Sequence, residues 1–421
     1  HSQPVYVGAP NDGHTLPGYR AFVSAQKNRA GRVYVGANDG MLHAFDSSTG
    51  NEIFGYIPSA VSSKLTDLDA VPFSHQYFVD GQLSVADAYS NFDGTAGDEW
   101  ATVLVGSLGA GGKGLFALNV TDPTASSMSN AQAKFLWEYT STNNANLGYS
   151  YGKPVIAKLS TGKWGVISGN GYKNSGDGKA HLLILPVKSG DFSPIDIPLG
   201  SSTSNGLSAP AVIDTDGDGM VDTVYAGDLA GSLWKIDLSH KTDTNQWGIP
   251  STLGSNALLT VTDGSNAQPI LSAPEVAKNP NGSGVIIHVG TGDLIASSGT
   301  LSNATFHSVY GIVDDGTQTI PIIRSQLQSQ TLTAISGEPN YRTLTTGTTV
   351  DNAKGWVLNL KADEADEADE HVLQTPLVRD SRLQLMITDQ VNENNWLTQV
   401  DYVTGGLPDK VVYDINYDGL L

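Results

Sequence analysis

Thr223-Val224-Tyr225-Ala226-Gly227, a short turn, and then Gly231-Ser232-Leu233-Trp234-Lys235-Ile236-Asp237 read as two β-strands joined in a hairpin. Both runs are short, rich in β-branched and aromatic residues, and free of a helical apolar period. The phrase recurs along the chain. Residues 33–36 with 41–46, 102–106 with 114–119, 165–169 with 180–185 and 285–290 with 307–312 repeat it, and 384–388 with 396–401 form a weaker sixth copy. Aligned on the glycine that closes the first strand (Gly36, Gly106, Gly169, Gly227, Gly290), the copies lie 70, 63, 58 and 63 residues apart. Recurring β units with Gly-rich turns mean a propeller or a solenoid. The steps exceed the roughly 40–50 residues of familiar blades, so long insertions are implied, and their irregularity favours a propeller. The expectation is one all-β body over residues 1–421, a modified β-propeller.

Composition agrees. The 421 residues include 47 Gly, 19 Pro and no Cys, and 39% are hydrophobic, enough for a core with many tight turns. With 43 acidic against 23 basic side chains the formal charge is −20, and the cations are scattered, which argues against a nucleic-acid partner. The absence of Cys excludes disulfides, thiolate metal sites and a Cys nucleophile. No signal peptide is visible, and no apolar run approaches the roughly 18 residues of a spanning helix. The chain opens on His1 and ends inside an interrupted motif, which reads as part of a longer protein whose targeting signals lie elsewhere.

Immediately before the opening phrase stands Asp214-Thr215-Asp216-Gly217-Asp218-Gly219-Met220-Val221-Asp222. It follows D-x-D-x-D-G-x-x-D, the front of an EF-hand calcium loop. Asp214, Asp216 and Asp218 fall at ligand positions 1, 3 and 5, the Met220 carbonyl at 7 and Asp222 at 9, while Tyr225 replaces the Glu of position 12. The flanks are strands, so the loop joins a β-hairpin rather than two helices. The competing reading is a bare acidic turn, but four nearby carboxylates repel without a cation. Calcium suits this oxygen set better than magnesium, and the missing Glu points to weak affinity, toward roughly 10⁻⁴–10⁻³ M.

Two insertions stand out. Residues 125–133 are small and polar and read as a loop or short helix. Residues 362–370 spell Ala-Asp-Glu three times and read as a solvated, low-complexity loop.

Several phrases are more specific. Val33-Tyr34-Val35-Gly36-Ala37-Asn38-Asp39-Gly40-Met41-Leu42-His43-Ala44-Phe45-Asp46 resembles the opening blade of the PilY/PilC family of type IV pilus tip-associated adhesins and biogenesis factors. His75-Gln76-Tyr77-Phe78-Val79-Asp80-Gly81, Tyr151-Gly152-Lys153-Pro154-Val155-Ile156 and Ser168-Gly169-Asn170-Gly171-Tyr172 follow in family order, as does Tyr225-Ala226-Gly227-Asp228-Leu229 with Leu233-Trp234-Lys235. The resemblance runs from about Val5 to Leu421. It implies a seven-bladed, modified propeller at the C-terminal end of a larger secreted, surface-located protein. The family's calcium loop carries over onto Asp214, Asp216, Asp218, Met220 and Asp222. Calcium there is tied to pilus extension and retraction, with pilus components as partners and host cells or other surfaces as targets. Our own count is six blades, so a seventh needs the termini or the 316–384 segment. Asp414-Ile415-Asn416-Tyr417-Asp418-Gly419 restarts the calcium pattern but lacks positions 9 and 12, and a second ion is not expected there. The chain has no Arg-Gly-Asp.

Propellers also occur as quinone-dependent dehydrogenases, the enzyme alternative. Many of those carry a vicinal Cys pair, which is absent here. The nine His form neither H-x-x-x-H nor H-E-x-x-H. Single strand histidines such as His43 and His181 read as satisfied β positions. Asp39 and Asn170 read as turn formers, and Trp137, Trp164, Trp234 and Trp356 as blade packing. A non-enzymatic interaction module is the expectation.

Overall fold

All six hairpin phrases fold as antiparallel strand pairs, each inside a larger sheet. The computed structural model describes residues 2–95, 97–292, 304, 306–317, 321–335, 338–345, 354–360, 370–389 and 394–409. The first sheet runs in spatial order β1 (Val5–Val7), β2 (Arg32–Gly36), β3 (Leu42–Asp46), β4 (Glu52–Tyr56). The second repeats the order with β5 (Leu83–Ser90), β6 (Glu99–Ser107), β7 (Gly114–Asn119) and β8 (Phe135–Thr140). The third has β9 (Val155–Lys158), β10 (Trp164–Gly169), β11 (Ala180–Pro186) and β12 (Ile195–Leu199). The fourth has β13 (Ala211–Ile213), β14 (Thr223–Gly227), β15 (Ser232–Asp237) and β16 (Leu259–Thr260). Four consecutive strands in sequential order form the meander of a propeller blade.

The later part departs from that regularity. β17 (Glu275–Lys278), β18 (Val285–Gly290) and β19 (Ser308–Asp314) are followed by β20 (Gln328–Gln330), β21 (Leu332–Ile335), β22 (Glu338–Leu344) and β23 (Gly355–Asn359). β23 and β20 extend the fifth sheet beyond β19, β20 running parallel to β23, while β21 and β22 form a separate ribbon. The last sheet gathers β24 (Glu370–His371), β25 (Leu377–Arg379) and β27 (Asn394–Asp401) around β26 (Arg382–Asp389). The 316–384 segment therefore feeds neighbouring sheets and a ribbon. Among the described residues it supplies no four-stranded sheet of its own.

Short helices decorate the strands: α1 (Tyr19–Gln26), α2 (Ser59–Ser62) and α3 (Met128–Gln132). The last lies in the small polar insertion, where Ser127 Oγ accepts from the Asn130 amide as an N-cap. No helix among the described residues is long and apolar enough to cross a membrane.

The chain divides into two compact units, one of His1–Val224 with Ile236–Gly248, the other of Tyr225–Lys235 with Ile249–Leu421, the division running through β14 and β15. In the first unit Tyr34, Leu42 and Ala44 pack with Leu104, Phe116 and Leu118, so the first and second sheets share a core. Trp100, Trp137, Trp164 and Val166 fill the next layer, between the second and third sheets. In the second unit Trp356, Leu358, Leu385 and Ile387 centre a third cluster, and Trp234 is buried too. The four tryptophans expected in blade packing are thus core residues.

One polar arrangement occurs twice. His43, the second residue of β3, places Nε2 2.8 Å from Asp39 Oδ2 and Nδ1 2.7 Å from Glu52 Oε1 on β4. His181, the second residue of β11, places Nε2 2.9 Å from Asp177 Oδ1 and Nδ1 2.5 Å from Asp196 Oδ1 on β12. Each imidazole ties the preceding turn, four residues back, to the outer strand. Burial pulls both imidazole pKa values down, but the flanking carboxylates outweigh it and the net shift is upward. With carboxylates on both sides, both ring nitrogens donate. Asp39 also accepts from the Met41 amide, and Asn170 ties four backbone groups across neighbouring turns, so both shape turns as expected.

The Ala-Asp-Glu triplet needs one correction. Residues 361–369 lie outside the described residues, but Glu370 is buried at the start of β24 rather than solvated. Its Oε1 is 2.5 Å from Arg342 Nη1, and that guanidinium lies 4.2 Å from the Trp396 ring centroid. A buried carboxylate is tolerated when paired in this way. The Asp414 phrase lies outside the described residues as well.

Candidate metal centre

The 214–222 loop joins β13 to β14, as its flanks imply. Gly217 and Gly219 sit at φ +78° and +82°, a left-handed conformation that a side chain would strain. These two residues let the chain wind back so that its amides point at its own carboxylates. Asp214 Oδ1 accepts from the Gly217 amide at 2.7 Å, and its Oδ2 from the Gly219 amide at 2.7 Å. Asp216 Oδ1 accepts from the Asp218 amide at 3.1 Å, and Asp218 Oδ1 from the Met220 amide at 2.9 Å. Asp222 Oδ2 accepts from Thr215, by its amide at 3.0 Å and its hydroxyl at 2.6 Å.

The winding gathers three of the four predicted carboxylates. Ligand oxygens of Asp214, Asp216 and Asp218 all lie within 4.8 Å of one another. Calcium–oxygen bonds of about 2.3–2.6 Å put opposite ligands at most about 5 Å apart, so the three can share one ion. Asp222 stands outside this group, turned toward Thr215. Its other oxygen, Oδ1, is nevertheless buried without a hydrogen-bond partner. A buried carboxylate oxygen without a partner calls for an explanation, and a cation held by this loop would supply one. Met220 is fixed through its amide, as above, which leaves its carbonyl free of that role.

The loop is also bolted at its far end. The Val221 amide donates to Lys158 O at 2.8 Å, the Asp222 amide to Ile213 O at 3.0 Å, and the Leu238 amide to Asp222 O at 2.8 Å. One side chain that the sequence reading passed over belongs to the site. Lys241 Nζ is 3.0 Å from Asp218 Oδ2, and this ammonium is the main reason that the Asp218 carboxyl is held below the ordinary range. Nothing in the Ser-His-Lys-Thr-Asp run around Lys241 marks it, because the pairing depends on how far the segment after β15 folds back.

The sequence matches the family model described as the PilY1 beta-propeller domain over residues 4–338. It is 36% identical over 437 residues to a type IV pilus biogenesis factor PilY1 homolog of Xylella fastidiosa, covering 100% of this chain and 33% of that protein. It is 35% identical over 450 residues to the type IV pilus biogenesis factor PilY1 of Pseudomonas aeruginosa, covering 96% of this chain and 37% of that one. The chain spans about a third of the length of these relatives. Among solved structures, the Pseudomonas aeruginosa PilY1 C-terminal domain superposes with a TM-score of 0.78 at 33% identity, over 99% of this chain and 89% of that one.

Proposed function

The chain belongs to the PilY1 β-propeller family, and from that premise we propose that it is the calcium-binding, non-enzymatic propeller part of a type IV pilus biogenesis factor. Calcium would be held by the carboxylates of Asp214, Asp216, Asp218 and Asp222 and by the Met220 carbonyl. The observation that carries this reading is the trio of carboxylates within 4.8 Å of one another, in a loop whose Asp222 Oδ1 is buried without a partner. Bound calcium would neutralise a loop that otherwise repels itself. The ordered loop would then present a surface to pilus components at the cell surface and so tune extension and retraction, with adhesion to host cells or other surfaces as the downstream effect.

A purely structural calcium is the second reading. It is favoured by the loop's amides, which already hold the carboxylates in a ring of internal hydrogen bonds. Calcium titration by calorimetry, beside an Asp214→Ala/Asp222→Ala double variant, tests the site: one saturable site, lost in the variant, is expected. No heat and no thermal stabilisation up to millimolar calcium would refute it. Pilus extension and retraction unchanged in a strain carrying the double variant would leave the structural reading.

A further inference from the structure

Asp218 spends one oxygen on the Met220 amide and offers the other, Oδ2, outward. That outward oxygen is not engaged by the Met220 amide, which leaves it for a metal on the calcium reading, and it is the atom that the Lys241 ammonium holds at 3.0 Å. The Lys241 side chain is 59% exposed, so it swings on a flexible stem in solvent rather than being wedged in place. Asp216 also faces this ammonium through charge, and Lys158 is a second cation felt by Asp218. A calcium ion about 2.3–2.6 Å from Asp218 Oδ2 would stand within a few ångströms of the ammonium. Two cations that close to one carboxylate oxygen repel each other, and each weakens the other's hold on it.

The segment carrying Lys241 is pinned at both ends. Its start is held by the Leu238 amide on Asp222 O at 2.8 Å, and by Ser160 Oγ on Leu238 O. Its end is held by the reciprocal Asp237 and Gly248 amides at 2.7 and 3.1 Å. Between them His240 is the hub: its carbonyl accepts from Trp247 Nε1 at 2.9 Å and its Nδ1 from the Asp243 amide at 3.0 Å. Lys241 stands next to that hub. The same carboxylate cluster is thus tied to the 238–248 segment twice, by a fixed backbone bond at Asp222 and by a breakable ion pair at Asp218.

Resting on the calcium reading above, we propose that Lys241 is a tethered counter-ion of the 214–222 loop. It neutralises Asp218 when no metal is bound, a divalent cation displaces it, and the freed 239–243 stretch carries the occupancy of the loop to the surface. The divalent ion wins because it engages several carboxylates at once, whereas the ammonium engages one. The tether lowers apparent calcium affinity and sets the concentration at which the loop responds. An exposed pair of this kind is worth about two- to fivefold in an equilibrium constant.

The test is calorimetric titration of calcium chloride into the protein and its Lys241→Gln and Lys241→Arg variants, at low salt and at high salt. Amide hydrogen exchange over 238–248 is followed with and without calcium. Lys241→Gln should bind calcium about two- to fivefold more tightly at low salt, with the gap closing as salt screens the pair. Lys241→Arg should stay near the parent. In the parent the Asp243 amide should exchange faster once calcium is added, and in Lys241→Gln it should exchange fast throughout. Equal or weaker binding by Lys241→Gln, or exchange indifferent to calcium, overturns the proposal while leaving calcium binding intact. No uptake by either protein overturns the calcium reading and the proposal together.

Discussion

The two carboxylate–imidazole–carboxylate bridges allow burial to be separated from geometry, because contact distances are nearly equal while exposure is not. The His181 side chain is 3% exposed with partners at 39% and 28%, whereas His43 is 13% exposed with partners at 46% and 47%. A hydrogen bond to a charged group contributes about 1.5–3 kcal/mol when buried, and an exposed ion pair about 0–1 kcal/mol. For His181 the Asp196 side is the better shielded, and Asp177 is discounted toward the exposed limit. Replacing His181 by Gln keeps one donor and removes the charge and the second donor, so we expect a loss of about 2 kcal/mol. The corresponding His43→Gln should lose about 0.5 kcal/mol.

Amide exchange on the outer strands, Ile195–Leu199 for His181 and Glu52–Tyr56 for His43, reads these losses locally and does not need two-state unfolding of the whole chain. A loss of about 2 kcal/mol is roughly a 30-fold loss of protection, and 0.5 kcal/mol about twofold. The sign with pH follows from the two kinds of group. The His181 pKa is raised from its ordinary 6.5, so its contribution is complete below that value and fades as pH rises through the folded value. Burial pushes the carboxyls of Asp177 and Asp196 up, but hydrogen bonds, His181's among them, bring both below their ordinary 3.8; their contribution is present above that and fades as pH falls through the folded values. The difference between parent and His181→Gln should therefore peak from about pH 4 to 6.5 and shrink on either side. Equal losses at the two sites, or a His181 loss that is flat from pH 4 to 9, would refute the argument that burial sets the worth of the bridge.

Three further outcomes are expected. His288 is buried in the second unit, donates from Nε2 to Tyr402 O at 2.8 Å, and has its pKa lowered by burial to about 4. Between pH 6.5 and 4 the unfolded chain takes up a proton that the folded one refuses, so stability should fall by about 3 kcal/mol over that window, and His288→Gln should flatten the acid limb of a urea-unfolding profile. Tyr225→Phe deletes the hydroxyl that donates to Asp314 Oδ2 at 2.6 Å, where Lys235 also lies 2.7 Å away, and should lower the second unit's denaturation midpoint by the equivalent of about 1.5–3 kcal/mol. Phe116→Ala, in the shared core of the first and second sheets, should cost about 3–5 kcal/mol by the same measurement.

Why the strand pairs were legible is visible in the glycines that close them. A Cβ on Gly36 would lie 2.3 Å from Val79 O, on Gly169 2.1 Å from Ser208 O, on Gly227 2.2 Å from Ile270 Cγ2 and on Gly290 2.3 Å from Val372 Cγ1. In each case the obstacle belongs to the segment that enters the following sheet, so close approach between blades demands glycine at one register position and prints a repeat into the sequence. Gly106 serves a related need, since its Cβ would meet the Phe116 ring at 2.3 Å in its own sheet. Short strands carry no such mark. β13 and β16 have three and two residues, and β20 and β23 are recruited to the fifth sheet by partners far away in sequence, so local pattern does not announce them.

The site divides along the same line. Asp214, Asp216 and Asp218 converge because of spacing within nine residues and two glycines at positive φ, all of which a reader of the sequence can see. Asp222 sits at the expected position yet leans on Thr215, a choice between two nearby partners that spacing does not decide. Lys241 and Glu370 were missed for the opposite reason. Each owes its role to a charge brought in by the fold, Asp218 in one case and Arg342 in the other. A motif records what a ligand needs from one loop, whereas the counter-charges that tune it come from wherever the chain returns. On the proposed calcium reading, regulation of this loop is to be sought in the segment after β15, where substitution at Lys241 would change the competitor for calcium without touching a single proposed ligand.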